Sequence, residues 1–195
     1  MLKAIVKTLI LMILVWVSIL PADPALAQMR MGPLSQEAIK NVPELRKTKA
    51  CEGCDLAGAS LRSYDLQSAN LKNADLTNST IKLSDLRNAN LEGAILESSR
   101  IEETQLTGAN FANTNLATSN LNGCDFSGVN LKGANLRAAT LNNTNFAKAN
   151  LSGALLRAAN MNGANLEGAN LEGAILCNTV MPNGKLSFRD CPPAS

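Results

Sequence analysis

The chain has no histidine, one tryptophan, one tyrosine and four phenylalanines in 195 residues. Without histidine it lacks the commonest general base and a common metal ligand. An aromatic content of 3% suits a narrow core that has little room for large rings. Neither sign of charge dominates: 18 Lys and Arg stand against 16 Asp and Glu. A nucleic-acid binder needs a basic surface and an acidic mimic needs the reverse, so this balance argues against both.

One apolar run stands out, Thr8 to Leu20. Lys3 and Lys7 precede it, Pro21 breaks it, and Ala25-Leu26-Ala27 forms a small-residue cleavage signal before Gln28. Residues 1–27 therefore read as a secretory signal peptide. The alternative is an uncleaved membrane anchor, for which the run is short against the roughly 20 residues of a full span. No twin-arginine pair is present, which favours general secretion. Cleavage removes Lys3, Lys7 and Asp23 and lowers the net charge from +2 to +1.

From Leu56 to Leu176 every fifth residue is large and apolar, 25 positions without a slip. Nineteen are Leu; the others are Ile81, Ile101, Phe111, Phe126, Phe146 and Met161. Two residues before each, except at Tyr64, comes a small or modest residue, Ala in 14 of 25, and one residue before comes Asn or Asp in 17 of 25. A period of five winds around an α-helix and alternates between the faces of a straight strand. It becomes one face only if short extended pieces carry Ala and Leu inward and Asn outward, with a corner at the next two residues. Those corners hold mostly Gly, Asn and Ser, as a turn requires.

The frame Ala-Asn/Asp-Leu-x-x, as in GANLRAATLNNTNFAKANLSGAL, closely resembles the pentapeptide repeat family over about two-thirds of the chain. The resemblance implies an all-β fold, a right-handed quadrilateral β-helix with four pentapeptides per coil. Six coils stacked about 4.8 Å apart would make a rod roughly 30 Å long. Residues twenty apart then stack: Phe126 under Phe146, Ile81 under Ile101. The inward column Ser84, Thr104, Cys124, Thr144 needs backbone acceptors for its hydroxyls. Tyr64 heads that column, is too large for an Ala slot, and predicts a distorted or open first coil.

A solenoid end exposes bare core and unpaired backbone, so caps are required. Residues 28–50 predict a short helical cap starting at Ser35, with Pro43 ending it or starting a second turn. Leu34, Ile39, Val42 and Leu45 are candidates to cover the first coil. Arg46, Lys47 and Lys49 form a basic cluster, read as a solvated cap surface or as a membrane or partner contact. The β-helix is expected over 51–180. A C-terminal cap is expected over 181–195, with Met181, Leu186 and Phe188 closing the last coil. That tail, and TKACEGCDLAGASL at the first repeats, resemble exported cyanobacterial and chloroplast-lumen members of the family.

The five cysteines fit an oxidising compartment. Cys177 and Cys191 bracket the tail with 13 residues between them, a structural bridge or a redox-switched cap. Cys51 and Cys54 form a C-x-x-C, but in the repeat register, where both point inward. Structural thiols, a local disulfide and redox activity are the readings there. Cys124 takes an Ala slot and reads as an inert buried thiol. The two pairs fall at opposite ends of the rod, so a four-ligand zinc site is rejected. No metal and no cofactor is expected.

No catalytic constellation is visible, since a rod exterior offers no cleft for a paired acid and base. Glu97, Glu102 and Glu103 cluster, with Arg100 among them. The informative departures are Ile95, Leu155 and Ile175, which replace outward Asn or Asp in one twenty-residue column. They pack locally against stacked neighbours or form a docking face for a protein or a second copy. Leu83 is a further exposed apolar corner residue. The expected function is a non-catalytic interaction scaffold in the thylakoid lumen or periplasm, with no stable membrane insertion after cleavage. The alternative is a redox-responsive thiol protein using Cys51/Cys54 or Cys177/Cys191. Some relatives imitate DNA and inhibit topoisomerases by strong negative charge, which this chain lacks. Only Thr80 and Thr140 occupy the outward position, so there is no ice-binding threonine array.

Overall fold

The computed structural model describes residues 34–191; the signal peptide expected over 1–27 lies outside them. The first element, α1, is the helix Gln36–Thr48. Ser35 caps it by accepting the Ala38 N–H at 2.8 Å, and its hydroxyl donates to the Asp55 carboxylate on the first coil. Asn41 Nδ2 donates to the Asp55 carbonyl at 2.9 Å. These ties turn Ala38 and Leu45 into full burial, with Val42 packed beside them. Leu34 and Ile39, expected to share that role, are 41% and 58% exposed. The helix also runs through Pro43 instead of stopping there. Burial of Leu45 beyond the proline, and Lys49 in a left-handed C-cap whose N–H reaches the Leu45 carbonyl at 2.8 Å, outweigh the lost bond.

The remaining chain is a parallel β-helix. Residues at this five-residue spacing pair in parallel with those twenty positions later, in four columns such as Asn70↔Asn90, Asp55↔Asp75, Asn120↔Thr140 and Asp65↔Asp85, with a break between Gln105 and Asp125. One coil is therefore four pentapeptides. The apolar residue's N–H donates onward, Leu71 to Asn90 at 2.8 Å, and the preceding residue's N–H donates back, Asn90 to Ala69 at 2.9 Å. At a standard corner the carbonyl of Leu56 accepts the Ala59 N–H at 3.0 Å. The second corner residue takes positive φ, +57° at Asn78 and +70° at Gly58. That is why Asn, Gly and Ser recur there. The apolar residues from Leu56 to Met161 are buried as one continuous core.

Three coils depart from the standard corner. There the chain forms β1 (Ser60–Arg62), β2 (Thr80–Lys82) and β3 (Arg100–Glu102), a parallel three-stranded sheet in the order β1-β2-β3. Tyr64, half-buried, opens the first of these corners, and Arg46 of α1 lies 5.5 Å over its ring. The Leu61 carbonyl accepts the Ser84 hydroxyl at 2.8 Å, and Ser84 accepts the Tyr64 N–H at 3.1 Å. The inner hydroxyls repeat this reach of 23 residues: Thr104 to Ile81 at 3.3 Å and Thr144 to Leu121 at 2.9 Å. The buried polar column thus finds the backbone acceptors that burial demands.

At the C-terminal end β4 (Thr179–Val180) and β5 (Leu186–Ser187) form an antiparallel hairpin through Pro182-Asn183-Gly184. Met181 packs on the core, but Leu186 and Phe188 are 54% and 65% exposed and do not close the last coil. Leu166 and Leu171 stay only half-buried as a result. The hairpin is fastened sideways, by Arg189 Nη2 on the Ala174 carbonyl at 3.0 Å and by the Cys177–Cys191 bridge.

Ser35→Ala is expected to cost about 1 kcal/mol in urea unfolding at neutral pH, through the lost cap. The Ser35 hydroxyl and the Ala57 N–H hold the Asp55 carboxyl below its ordinary 3.8. A depressed carboxyl contributes stability above its ordinary pKa and loses it as pH falls through the folded value. The deficit of the variant should therefore narrow below pH 3.8 without vanishing, because the Ala38 bond does not titrate. A deficit independent of pH would remove the Asp55 link.

Candidate functional site

Asp55, Asp75, Ile95, Asn115, Asn135, Leu155 and Ile175 stack in one outward column, each paired in parallel with the next. Ile95 is 39% exposed; Leu155 and Ile175 are half-buried side by side. Polar residues in this column support the corner that follows. Asp75 Oδ1 accepts the Thr77 N–H at 2.9 Å, and Asn135 Oδ1 accepts the Arg137 N–H at 3.3 Å. Asn135 also donates to Asn115 at 2.8 Å, and Asn115 to Glu97 at 3.1 Å. An aliphatic side chain makes none of these bonds. Ile95, Leu155 and Ile175 therefore give up local support and leave apolar surface on a polar face.

Corner residues flank this column, and their charge changes along the rod. The half nearer α1 carries Asp55, Asp75, Glu92 and Glu97, with Lys72 3.4 Å from Glu92. The far half carries Lys132, Arg137 and Arg157, with Glu172 at its end. Among the described residues none of those three cations is in an ion pair. Arg137 and Arg157 are twenty residues apart, so they stack in one corner row. Like charges stacked in this way repel. Composition alone hides this division, because it averages the two halves. Sorting corner residues in the twenty-residue frame exposes it.

Several charged groups elsewhere on the rod are paired within the chain. Lys82 lies 2.7 Å from Glu102 and 3.1 Å from Glu103, which raises its pKa and lowers that of Glu102. Arg87 holds the Asp85 carboxyl low, and Lys49 does the same for Asp65. Among the described residues no three His, Cys, Asp or Glu converge as a metal site. No helix of the described residues is long and apolar enough to cross a membrane. Cys51 is bonded to Cys54, and Cys177 to Cys191. Burial pushes the Cys124 thiol up to about 12, so it stays protonated and unreactive. Leu83 is 44% exposed with φ +55°, an unfavourable backbone for leucine.

Residues 94–171 match the family model described as "Pentapeptide repeat region", and residues 50–82 and 159–188 match "Pentapeptide repeats (8 copies)". The chain belongs to the pentapeptide repeat family. It shares that family's right-handed β-helix solenoid, whose members are in general non-catalytic. No curated protein sequence matches this pentapeptide repeat protein. Among solved structures it is similar to HetL, a pentapeptide repeat protein involved in heterocyst differentiation regulation in the cyanobacterium Nostoc. Identity is 28%, over 71% of this chain and 66% of that one, at a TM-score of 0.29. A pentapeptide repeat protein of the cyanobacterium Cyanothece is 29% identical, over 74% of this chain and 96% of that one, at a TM-score of 0.34. One from the thylakoid lumen of Arabidopsis thaliana is 24% identical, over 63% and 69% of the two chains, at a TM-score of 0.21.

Proposed function

We infer that this pentapeptide repeat protein is a non-catalytic docking scaffold. Its rod of about six coils presents one flat face to a protein partner. The observation that carries this reading is the column with Ile95, Leu155 and Ile175, where aliphatic side chains displace the hydrogen-bonding Asn and Asp of the same column. An exported setting, the thylakoid lumen or periplasm, is supported by the leader pattern of residues 1–27 and by the two disulfides. A thiol-based role for Cys51/Cys54 or Cys177/Cys191 is the second reading, favoured by the bridging of both pairs.

Crosslinking inside the compartment tests the docking reading, with a variant carrying Ile95→Asn, Leu155→Asn and Ile175→Asn beside the parent. Asn is the residue the repeat favours there, so the fold is retained. The parent is expected to capture a defined protein that the variant does not. Equal capture by both, or none by either, makes the column purely structural.

A further inference from the structure

The two halves of this face answer each other. Glu92 and Glu97 flank Ile95, while Arg157 lies beside Leu155 with Lys132 and Arg137 one coil nearer α1. We propose that the occupant of the face is a second copy of the same chain, laid antiparallel across it about a two-fold axis at right angles to the rods. The proposal rests on the docking reading and names its partner.

The twenty-residue register sets which residues meet. The axis passes midway between Asn115 and Asn135, which face each other across it. Ile95 then meets Leu155 of the second copy, Glu97 meets Arg157, and Lys72 meets Glu172. Symmetry makes each contact twice. Asp75 falls against Ile175, near Arg189, which is held on the Ala174 carbonyl at 3.0 Å and paired with Asp190. Glu97 is already oriented by Asn115 Nδ2 at 3.1 Å. Arg157 has no carboxylate within its own described chain, and the second copy provides one.

Competing arrangements are worse on the same residues. Moving the copies one coil one way leaves Ile95 facing Asn135. Moving them one coil the other way sets Arg137 against the second Arg137. Parallel rods bring Glu92 against Glu97 and Lys132 against Arg137. Only the antiparallel register centred between Asn115 and Asn135 joins the aliphatic pair and the opposite charges together. Juxtaposed like charges suppress wrong pairings, and complementary ones fix register.

Sedimentation of the protein isolated from its producing cells, disulfides intact, tests this. The parent is expected to form a concentration-dependent dimer that weakens as salt is raised. Glu97→Arg alone and Arg157→Glu alone should each weaken self-association by about a hundredfold or more, since each places like charges at both ends of the interface. An equimolar mixture of the two variants should recover the dimer, because both contacts then pair opposite charges. Recovery also shows that both variants are folded. A parent that is monomeric at every concentration, or single variants that still dimerise, overturns the proposal. So does a mixture that stays monomeric. If it fails while the Asn variant still loses a captured protein, the docking reading stands and only the partner is wrong. If capture is also unchanged, both fall.

Discussion

Truncating Phe126 to Ala is expected to remove about 3–5 kcal/mol of stability, measured by urea unfolding. The ring is fully buried. It meets Phe111 edge-on at 5.4 Å and 73°, and stacks on Phe146 at 5.7 Å and 22°. Each aromatic contact adds roughly 0.5–1.5 kcal/mol to the burial itself. The coil geometry leaves little means of repair. Each coil touches only its neighbours, and backbone bridges such as Asp125↔Asn145 and Asn110↔Asn130 hold the walls apart. The cavity therefore stays open, which is the costly case. Hydrogen exchange should accelerate first in the amides of the coils on either side of Phe126. Phe126→Leu, the residue the repeat prefers in that slot, should cost under about 1.5 kcal/mol. A loss below about 1 kcal/mol for the Ala variant would mean that the walls collapse and the core is softer than its ladders imply.

That core was legible because a five-residue period has one geometric solution. The period alone puts the apolar slots inside; the stacking of Phe126 with Phe146 and the pairing of Ile81 with Ile101 were legible only through the four pentapeptides per coil that the family resemblance implies. The crowded slot at Tyr64 was legible too, because no side chain that large fits where Ala recurs. The caps were less so, since they lack the period. For α1, hydrophobicity nominated Ile39, but the fixed points were polar: Ser35 and Asn41 on Asp55 set the helix rotation and left Ile39 outside. For the tail, Leu186 and Phe188 looked like closing residues, yet the bridge to Cys177 draws the hairpin to one side of the rod.

The candidate face was half legible. Ile95, Leu155 and Ile175 announce themselves by breaking a strong rule at one position of the repeat. The charges beside them break no rule, because corner positions tolerate any soluble residue. Their meaning appears only when Glu92, Glu97, Lys132, Arg137 and Arg157 are placed at heights along one face. A net charge near zero conceals two opposite halves, and that separation, not the sum, governs what the face can meet.

Breaking the Cys177–Cys191 bridge is expected to cost about 3 kcal/mol by the chain-entropy account for a loop of this size. The residues are 14 apart. What else fastens the tail is slight: the Gly163 N–H on the Pro182 carbonyl at 2.9 Å, the Met181 N–H on the Lys185 carbonyl at 2.8 Å, a two-residue ladder, and Arg189 on Ala174. Paired Cys177→Ala and Cys191→Ala substitutions should therefore release residues 182–191 locally, with faster exchange there and at Leu176, while coils near Phe126 keep their protection. Cys191 is half-buried and Cys177 only 4% exposed, so a reductant attacks at Cys191. Cys51 and Cys54 are 3 apart, and so short a loop gives up less entropy when opened. Thiol trapping under oxidising and reducing conditions then separates the two readings of these pairs. Bridges that persist unexchanged make both structural. Exchange at Cys191 with release of the tail would make the C-terminal end a redox-controlled one, and the two-residue ladder is weak enough for that control to act.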